Sequence, residues 1–384
     1  MTTVFLIILG AIAIAPTIYF FSFNNLALNN YKEFIERFGH NLEENEVTTE
    51  DGYILNLWHL IPNFSVNPEK VIFLQPGFAA TGICYFGLKK KSLAYLLQEK
   101  GYDVWIGNNR GSKFSSKHIS KNPKDKNGDF WEFSLDEFAK YDITAEINFI
   151  KKRTGAKKVH FVGYSEGTTL LLMLYMDNPQ FVESSINKFI SIATVPNLSS
   201  IPLSISESID KICDYLEIAE PFTKAFQVSD SIRTTLVKSV KSNPKYFVKK
   251  FKEDGSITNK TDSEAIAHFL SHYPTDTSIY HLYQWEKIQE EKKLVHYNVH
   301  SKEKDKFREY DLNVLKNWKI KAFITRSKCD SFSPYNEVTE FYNNIKNKSL
   351  ITFFDSDYAH LDYGLAKSAY KDIYIPIVNY LDEK

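Results

Sequence analysis

The chain has 384 residues, with 47 basic and 47 acidic side chains. That balance gives no sign of a polyanion partner, and no nucleic acid is expected. Three cysteines, Cys84, Cys213 and Cys329, are too few and too scattered for a disulfide framework or a zinc site; one pair can form, the sequence does not choose it, and at least one thiol stays free.

Val4 to Phe23 is almost wholly apolar and uncharged. It reads as a secretory signal peptide with Ala13-Ile14-Ala15 as the small-residue site. Pro16 follows that site and the apolar run continues through Phe21, so an uncleaved signal anchor long enough to span a bilayer is the other reading. Residues 1–23 are assigned to this segment. The chain is expected in the secretory pathway, secreted or lysosomal, or membrane-anchored by its N-terminal segment. Asn-x-Ser/Thr sequons at Asn63, Asn197, Asn259 and Asn347 are compatible with that route and with a glycoprotein.

Val47 to Leu60 reads as a hairpin around Asp51-Gly52. Val71–Gln75, Tyr102–Ile106 and Val159–Gly163 read as strands, and Tyr141–Arg153 as a helix with Ile143, Ile147 and Ile150 on one face. Short apolar strands alternating with helices imply a mostly parallel sheet. After Pro196 the pattern changes. About Asn197 to Trp318 is Lys-rich, helical and lacks clear strands. Within it, Ile232 to Lys252 mixes apolar residues with lysines, which fits either a lipid-facing surface or a helix with a solvated basic face, and Pro244 breaks it. Two further strands follow, Ile320–Thr325 and Leu350–Phe354.

Chemistry concentrates at Gly163-Tyr164-Ser165-Glu166-Gly167. An apolar strand precedes it and an apolar helix follows. A Gly-x-Ser-x-Gly turn in that setting is a nucleophile elbow: the serine sits on a strained backbone, and the glycines avoid collision with strand and helix. A serine hydroxyl needs a base, and the base an orienting carboxylate, in the chain order Ser, Asp or Glu, His. Asp330 lies in the loop after one late strand and His360 in the loop after the next. Asp355, Asp357 and Asp362 compete for the acid role, but they share the histidine's own loop or its surroundings. The other nine histidines have no comparable placement. An acyl-transfer serine also needs two donors for the oxyanion. The backbone N–H groups of Glu166 and of Phe78, after Pro76-Gly77, are the candidates. The insertion of residues 197–318 separates Ser165 from Asp330 and is expected to cap the site. Residues 24–196 and 319–384 then form the core.

Several collinear stretches carry a resemblance. They include Val47-Thr48-Thr49-Glu50-Asp51-Gly52-Tyr53, Phe73-Leu74-Gln75-Pro76-Gly77, Gly107-Asn108-Asn109-Arg110-Gly111, Phe130-Trp131-Glu132-Phe133-Ser134-Leu135-Asp136-Glu137-Phe138, the elbow, Ser271-His272-Tyr273-Pro274, and Ala359-His360-Leu361-Asp362. From about Tyr31 onward the chain resembles the acid lipases, the gastric and lysosomal group of α/β-hydrolases. The resemblance implies an α/β-hydrolase fold: a mostly parallel central sheet flanked by helices, with a largely helical cap inserted between nucleophile and acid. It also implies a lipid ester as substrate, triacylglycerol or sterol ester, met at a lipid–water interface; membrane association through residues 4–23 or the cap is a separate expectation, from the apolar N-terminal run and the Ile232 to Lys252 stretch. No metal or organic cofactor is implied.

Three departures from the family pattern stand out. Pro76-Gly77 replaces His-Gly, Glu166 replaces Gln, and Thr325 to Cys329 lacks the usual glycines. An ionised Glu166 beside the oxyanion would weaken its stabilisation and favour activity at acidic pH. The expectation is a Ser165-Asp330-His360 lipase. The alternatives are a soluble-ester carboxylesterase with the same triad and a lipid-binding pseudoenzyme impaired at Pro76 and Glu166.

Overall fold

Apolar five- to seven-residue strands, each followed by a crossover helix, can pair in parallel only if helices cover both sheet faces. The computed structural model, which describes residues 31–301 and 307–383, has that arrangement. The N-terminal segment of residues 1–23 lies outside the described residues. The strands are β1 (Asn41–Thr48), β2 (Tyr53–Ile61), β3 (Val71–Gln75), β4 (Asp103–Ile106), β5 (Lys117–His118), β6 (Val159–Tyr164), β7 (Ile186–Ile192), β8 (Ala225–Phe226), β9 (Thr277–Ser278), β10 (Lys321–Ser327) and β11 (Ile351–Ser356). The large sheet runs β1-β2-β4-β3-β6-β7-β10-β11, with β5 beside β2. β1 and β2 form the antiparallel hairpin around Asp51-Gly52, and β2 pairs antiparallel with β4. From β4 to β11 every neighbour is parallel.

The helices that position the site are α1 (Thr144–Thr154), α2 (Glu166–Asp177), α3 (Leu203–Ala219), α4 (Asp230–Ser242), α5 (Pro244–Glu253), α6 (Ser263–Leu270), α7 (Ile279–Glu291), α8 (Tyr335–Tyr342) and α9 (Ile375–Asp382). One sheet face buries Trp105, Phe161, Ile147 and Leu170, and the other buries Trp58, Val104, Ile190 and Ile377. The helix expected over 141–153 enters through a wider π-turn at Phe138–Ile143 before α1.

The residues that carried the resemblance hold the core together. The Arg110 guanidinium is fully buried. It reaches Asp142 at 2.7 Å and Asp51 at 2.5 Å, and lies 3.9 Å over the Tyr53 ring. It therefore ties the hairpin turn to the start of α1, a bidentate role for which lysine is no substitute. All three cysteines are free thiols.

Between β7 and β10 the chain builds α3 to α7 around a third apolar cluster that includes Ile212, Leu236, Phe251, Leu270 and Ile279. The expectation of no strands here needs correction, since β8 and β9 form a short antiparallel pair. Two residues per strand leave no room for a visible apolar–polar alternation. Pro244 opens α5, where its missing N–H costs nothing. Leu236, Val240, Phe247 and Phe251 of α4 and α5 are buried. This pair therefore packs its apolar side inward and presents the lysines to solvent.

Candidate active site

The elbow is strained as its motif requires. Ser165 has φ 54° and ψ −121°, on the positive-φ side that a residue with a Cβ rarely visits. The strain is held by packing. A Cβ at Gly163 would lie 2.6 Å from the Thr168 nitrogen, and one at Gly167 2.4 Å from the Gln75 carbonyl oxygen. The Ser165 N–H also donates to Ile192 O at 2.8 Å, anchoring the turn to β7.

The serine hydroxyl meets His360. Oγ lies 2.8 Å from Nε2. On the far side of the ring, Nδ1 is 3.0 Å from both carboxylate oxygens of Asp330. Asp330 is 4 % exposed. Its Oδ1 also accepts the backbone N–H groups of Phe332 and Ser333, each at 2.9 Å, which fixes the carboxylate. A buried acid, an imidazole held at both nitrogens and a hydroxyl on a strained turn form the geometry in which a serine can be deprotonated as it attacks. Sequence order brought these three together from loops after β6, β10 and β11. The competing carboxylates are used elsewhere: Asp355 pairs with Arg326, Asp357 with Lys260, and Asp362 accepts from Ala359 N–H at 3.0 Å.

The loop proposed to supply the second donor runs against the elbow. A Cβ at Gly77 would lie 2.9 Å from Tyr164 O and 3.0 Å from the Ser165 Cβ, so only glycine lets this backbone come so close. Pro76 sits just past the last paired residue of β3, Gln75, and removes no ladder hydrogen bond. Tyr85 Oη donates to Gln75 O at 2.6 Å and Thr275 N–H to Ala79 O at 2.7 Å, bracketing the loop.

Residues with no role in the sequence reading, and others in roles it did not give them, complete the site. Tyr164, the variable residue of the elbow, donates from its hydroxyl to His360 O at 2.6 Å. Phe332 packs its ring 5.2 Å from the imidazole. Glu166, expected beside the developing charge, turns its carboxylate to α7 instead: Oε2 is 2.5 Å from His281 Nε2 and accepts from Trp285 Nε1 at 2.7 Å. Asp362 bridges the histidine loop to the segment before α6, accepting from Thr258 N–H at 2.9 Å and Thr261 Oγ1 at 2.7 Å. Leu361 N–H donates to Ser256 O at 2.9 Å.

Ser165 and His360 open onto an apolar cavity of about 150 Å³. Ile209 and Ile212 of α3 and Leu282 and Trp285 of α7 form much of one side. Among the described residues no group of His, Cys, Asp and Glu side chains is arranged to hold a metal ion.

Two family patterns match the chain: one described as alpha/beta hydrolase fold over residues 70–365, the other as partial alpha/beta-hydrolase lipase region over 31–87. Human lipase member K is 28 % identical over 375 residues, covering 92 % of this chain and 91 % of its own. Mouse gastric triacylglycerol lipase is 32 % identical over 283 residues, 70 % of this chain and 69 % of its own. An esterase from Exiguobacterium antarcticum shares the fold with TM-score 0.55 at 12 % identity, covering 89 % of this chain and all of its own. The chain belongs to the α/β-hydrolase fold family and, within it, to the acid lipases, a group of serine ester hydrolases.

Proposed function

We propose that this chain hydrolyses the carboxylic esters of lipids through an acyl-enzyme on Ser165. The observation that carries the reading is the continuous Ser165–His360–Asp330 hydrogen-bond chain opening on an almost wholly apolar cavity. Ser165 Oγ attacks the ester carbonyl while His360 Nε2 takes its proton. The tetrahedral oxyanion is held by the N–H groups of Phe78 and Glu166. His360 returns the proton to the leaving alcohol, and the acyl group remains on Ser165. Water, deprotonated by His360, then releases the fatty acid and restores the serine. Asp330 holds the imidazole in the tautomer this requires.

Residues 197–318 act as a cap, since their helices close the cavity that receives the acyl chain. The insertion also offers a surface for a lipid interface. Leu203 and Ile218 of α3 and Phe222 just past its end are 72 %, 75 % and 80 % exposed, and Tyr215 of α3 is exposed as well. The opposite side of that helix, at Ile209 and Ile212, lines the cavity. One helix thus meets both the bulk lipid and the bound chain, which favours an interfacial lipase over a soluble-ester carboxylesterase. The chain's likeness to gastric triacylglycerol lipases points to triacylglycerol. Passage through the secretory route fits the exposed sequons at Asn63, Asn259 and Asn347.

The test is labelling with a fluorophosphonate, followed by rates on emulsified triacylglycerol and on a short soluble ester. Labelling lost in Ser165→Ala, with faster turnover of the emulsion, is the expected result. Folded protein that does not label would favour the lipid-binding pseudoenzyme.

A further inference from the structure

We propose that Glu166 and His281 form a second carboxylate–imidazole pair, outside the reaction path, that holds the oxyanion-binding backbone in place. His281 is thereby a positioning residue, and the inference rests on the serine-hydrolase reading above.

The pair is built as tightly as the catalytic one. Both side chains are 1 % exposed, and the Nε2–Oε2 separation is 2.5 Å. His281 Nδ1 lies 2.9 Å from Thr277 Oγ1. With the threonine hydroxyl donating to Nδ1, the ring carries its proton on Nε2 and donates it to the carboxylate; as an imidazolium it donates at both nitrogens. Either state gives Glu166 a donor. Trp285 Nε1–H supplies another to the same oxygen, while Oε1 has no partner among the described residues. The carboxylate therefore depends on the donors to one oxygen. Tyr273, whose hydroxyl burial and the Glu166 charge push well above its usual pKa, is a further titratable group beside it.

What makes this a catalytic matter is where the pair sits. Glu166 is the first residue of α2, and its own N–H is one proposed oxyanion donor. Phe78 carries the other, and its ring packs 4.9 Å from the His281 ring. Phe138 closes the far side, 5.0 Å away. One imidazole thus contacts both residues of the hole, by hydrogen bond and by ring contact. Its own base is firm: Thr277 belongs to β9, and the neighbouring Ser278 hydroxyl donates to Trp131 O at 2.5 Å. A glutamate in place of the family's glutamine is tolerable here because α7 supplies a basic partner. Removing one partner of a buried pair leaves an uncompensated group that must find water or move.

The experiment compares wild type, His281→Ala and the double variant His281→Ala/Glu166→Gln on p-nitrophenyl butyrate. It measures kcat, KM and the affinity for an alkyl trifluoromethyl ketone, which forms a tetrahedral adduct on the serine. His281→Ala should lose roughly tenfold to hundredfold in kcat and in ketone affinity, with KM within about twofold, as expected when an oxyanion donor is displaced. The double variant should recover most of the loss, because the amide removes the stranded carboxylate. A loss in kcat that Glu166→Gln does not relieve, or one that appears in KM alone, would overturn the inference. If His281→Ala does not fold, His281→Gln keeps a donor and should bind the ketone within about threefold of wild type; a tenfold loss there would also overturn it. A wild-type protein without Ser165-dependent hydrolysis would remove the reading of function itself. Wild-type hydrolysis with kcat untouched in His281→Ala would remove only this inference.

Discussion

Tyr164 donates its hydroxyl to the backbone carbonyl of His360 at 2.6 Å, and the two rings lie 6.1 Å apart and 20° from parallel. The residue before Ser165 thus holds the loop that carries His360. Tyr164→Phe removes one hydrogen bond worth about 1 kcal/mol and should lower kcat roughly fivefold with little change in KM. Steady-state kinetics on a soluble ester test this; a rise in KM alone would place Tyr164 in binding instead.

Asp330→Asn is the sharpest test of the acid. The amide oxygen can still accept the Phe332 and Ser333 N–H groups. Its NH₂ group, however, would face Nδ1 and favour the wrong imidazole tautomer. A fall in kcat of about 10⁴, with the melting temperature nearly kept, is expected. Retained activity would transfer the role to another carboxylate.

Gly77→Ala adds a methyl 2.9 Å from Tyr164 O and 3.0 Å from Ser165 Cβ. Neither neighbour is a flexible side-chain end, so the oxyanion loop must shift. A loss of roughly a hundredfold in kcat is expected from a displacement near 1 Å. Wild-type kcat in this variant would show that the loop does not form part of the oxyanion site.

The exposed apolar surface at the end of α3 can be tested apart from the chemistry. Ile218→Ser/Phe222→Ser removes two side chains that are 75 % and 80 % exposed and touch no triad residue. Burying each in lipid is worth about 1.5–3 kcal/mol. The rate on emulsified triacylglycerol should fall at least tenfold, by that same estimate, while soluble-ester turnover holds. Equal losses on both substrates would assign these residues to folding.

Stability should carry a pH signature from Glu286 of α7. Burial raises its carboxyl from 4.5 to about 7, with Glu290, Glu217 and Asp210 adding and a Cys213 hydrogen bond opposing. Between those two values the folded chain keeps a proton that the unfolded chain has released. The stabilising contribution is thus full below about pH 4.5 and is lost as pH rises through 7. Wild type should melt higher at pH 5 than at pH 7.5, and Glu286→Gln should reduce that difference. Parallel melting curves for the two proteins would show that Glu286 does not contribute.

The convergence of Ser165, Asp330 and His360 was legible because such a trio has a fixed chain order and a fixed place after parallel strands, and strands such as Val71–Gln75 are continuous apolar runs. His281 was not legible. Its partner Glu166 is 115 residues away, and nothing near His281 marks it as special. Tyr164 lay in plain view inside the elbow, but its bond to His360 exists only once β6 and the loop after β11 are side by side. Asp362 was weighed as an acid and proved to be a brace. That distinction depends on Thr258 and Thr261, which approach it only through the insertion. The two-residue strands β8 and β9 are too short for any periodicity to report.

The bonds from Asp362 to Thr258 and Thr261, and from Leu361 to Ser256, mean that the inserted segment and the loop of His360 share a hinge pin. Trimming residues 197–318 would therefore not yield an open-mouthed esterase with its chemistry intact. It would also cut the moorings of the histidine. On the proposed cap reading, a movement that admits substrate is expected to swing from the α3 side and leave the 255–262 stretch at anchor.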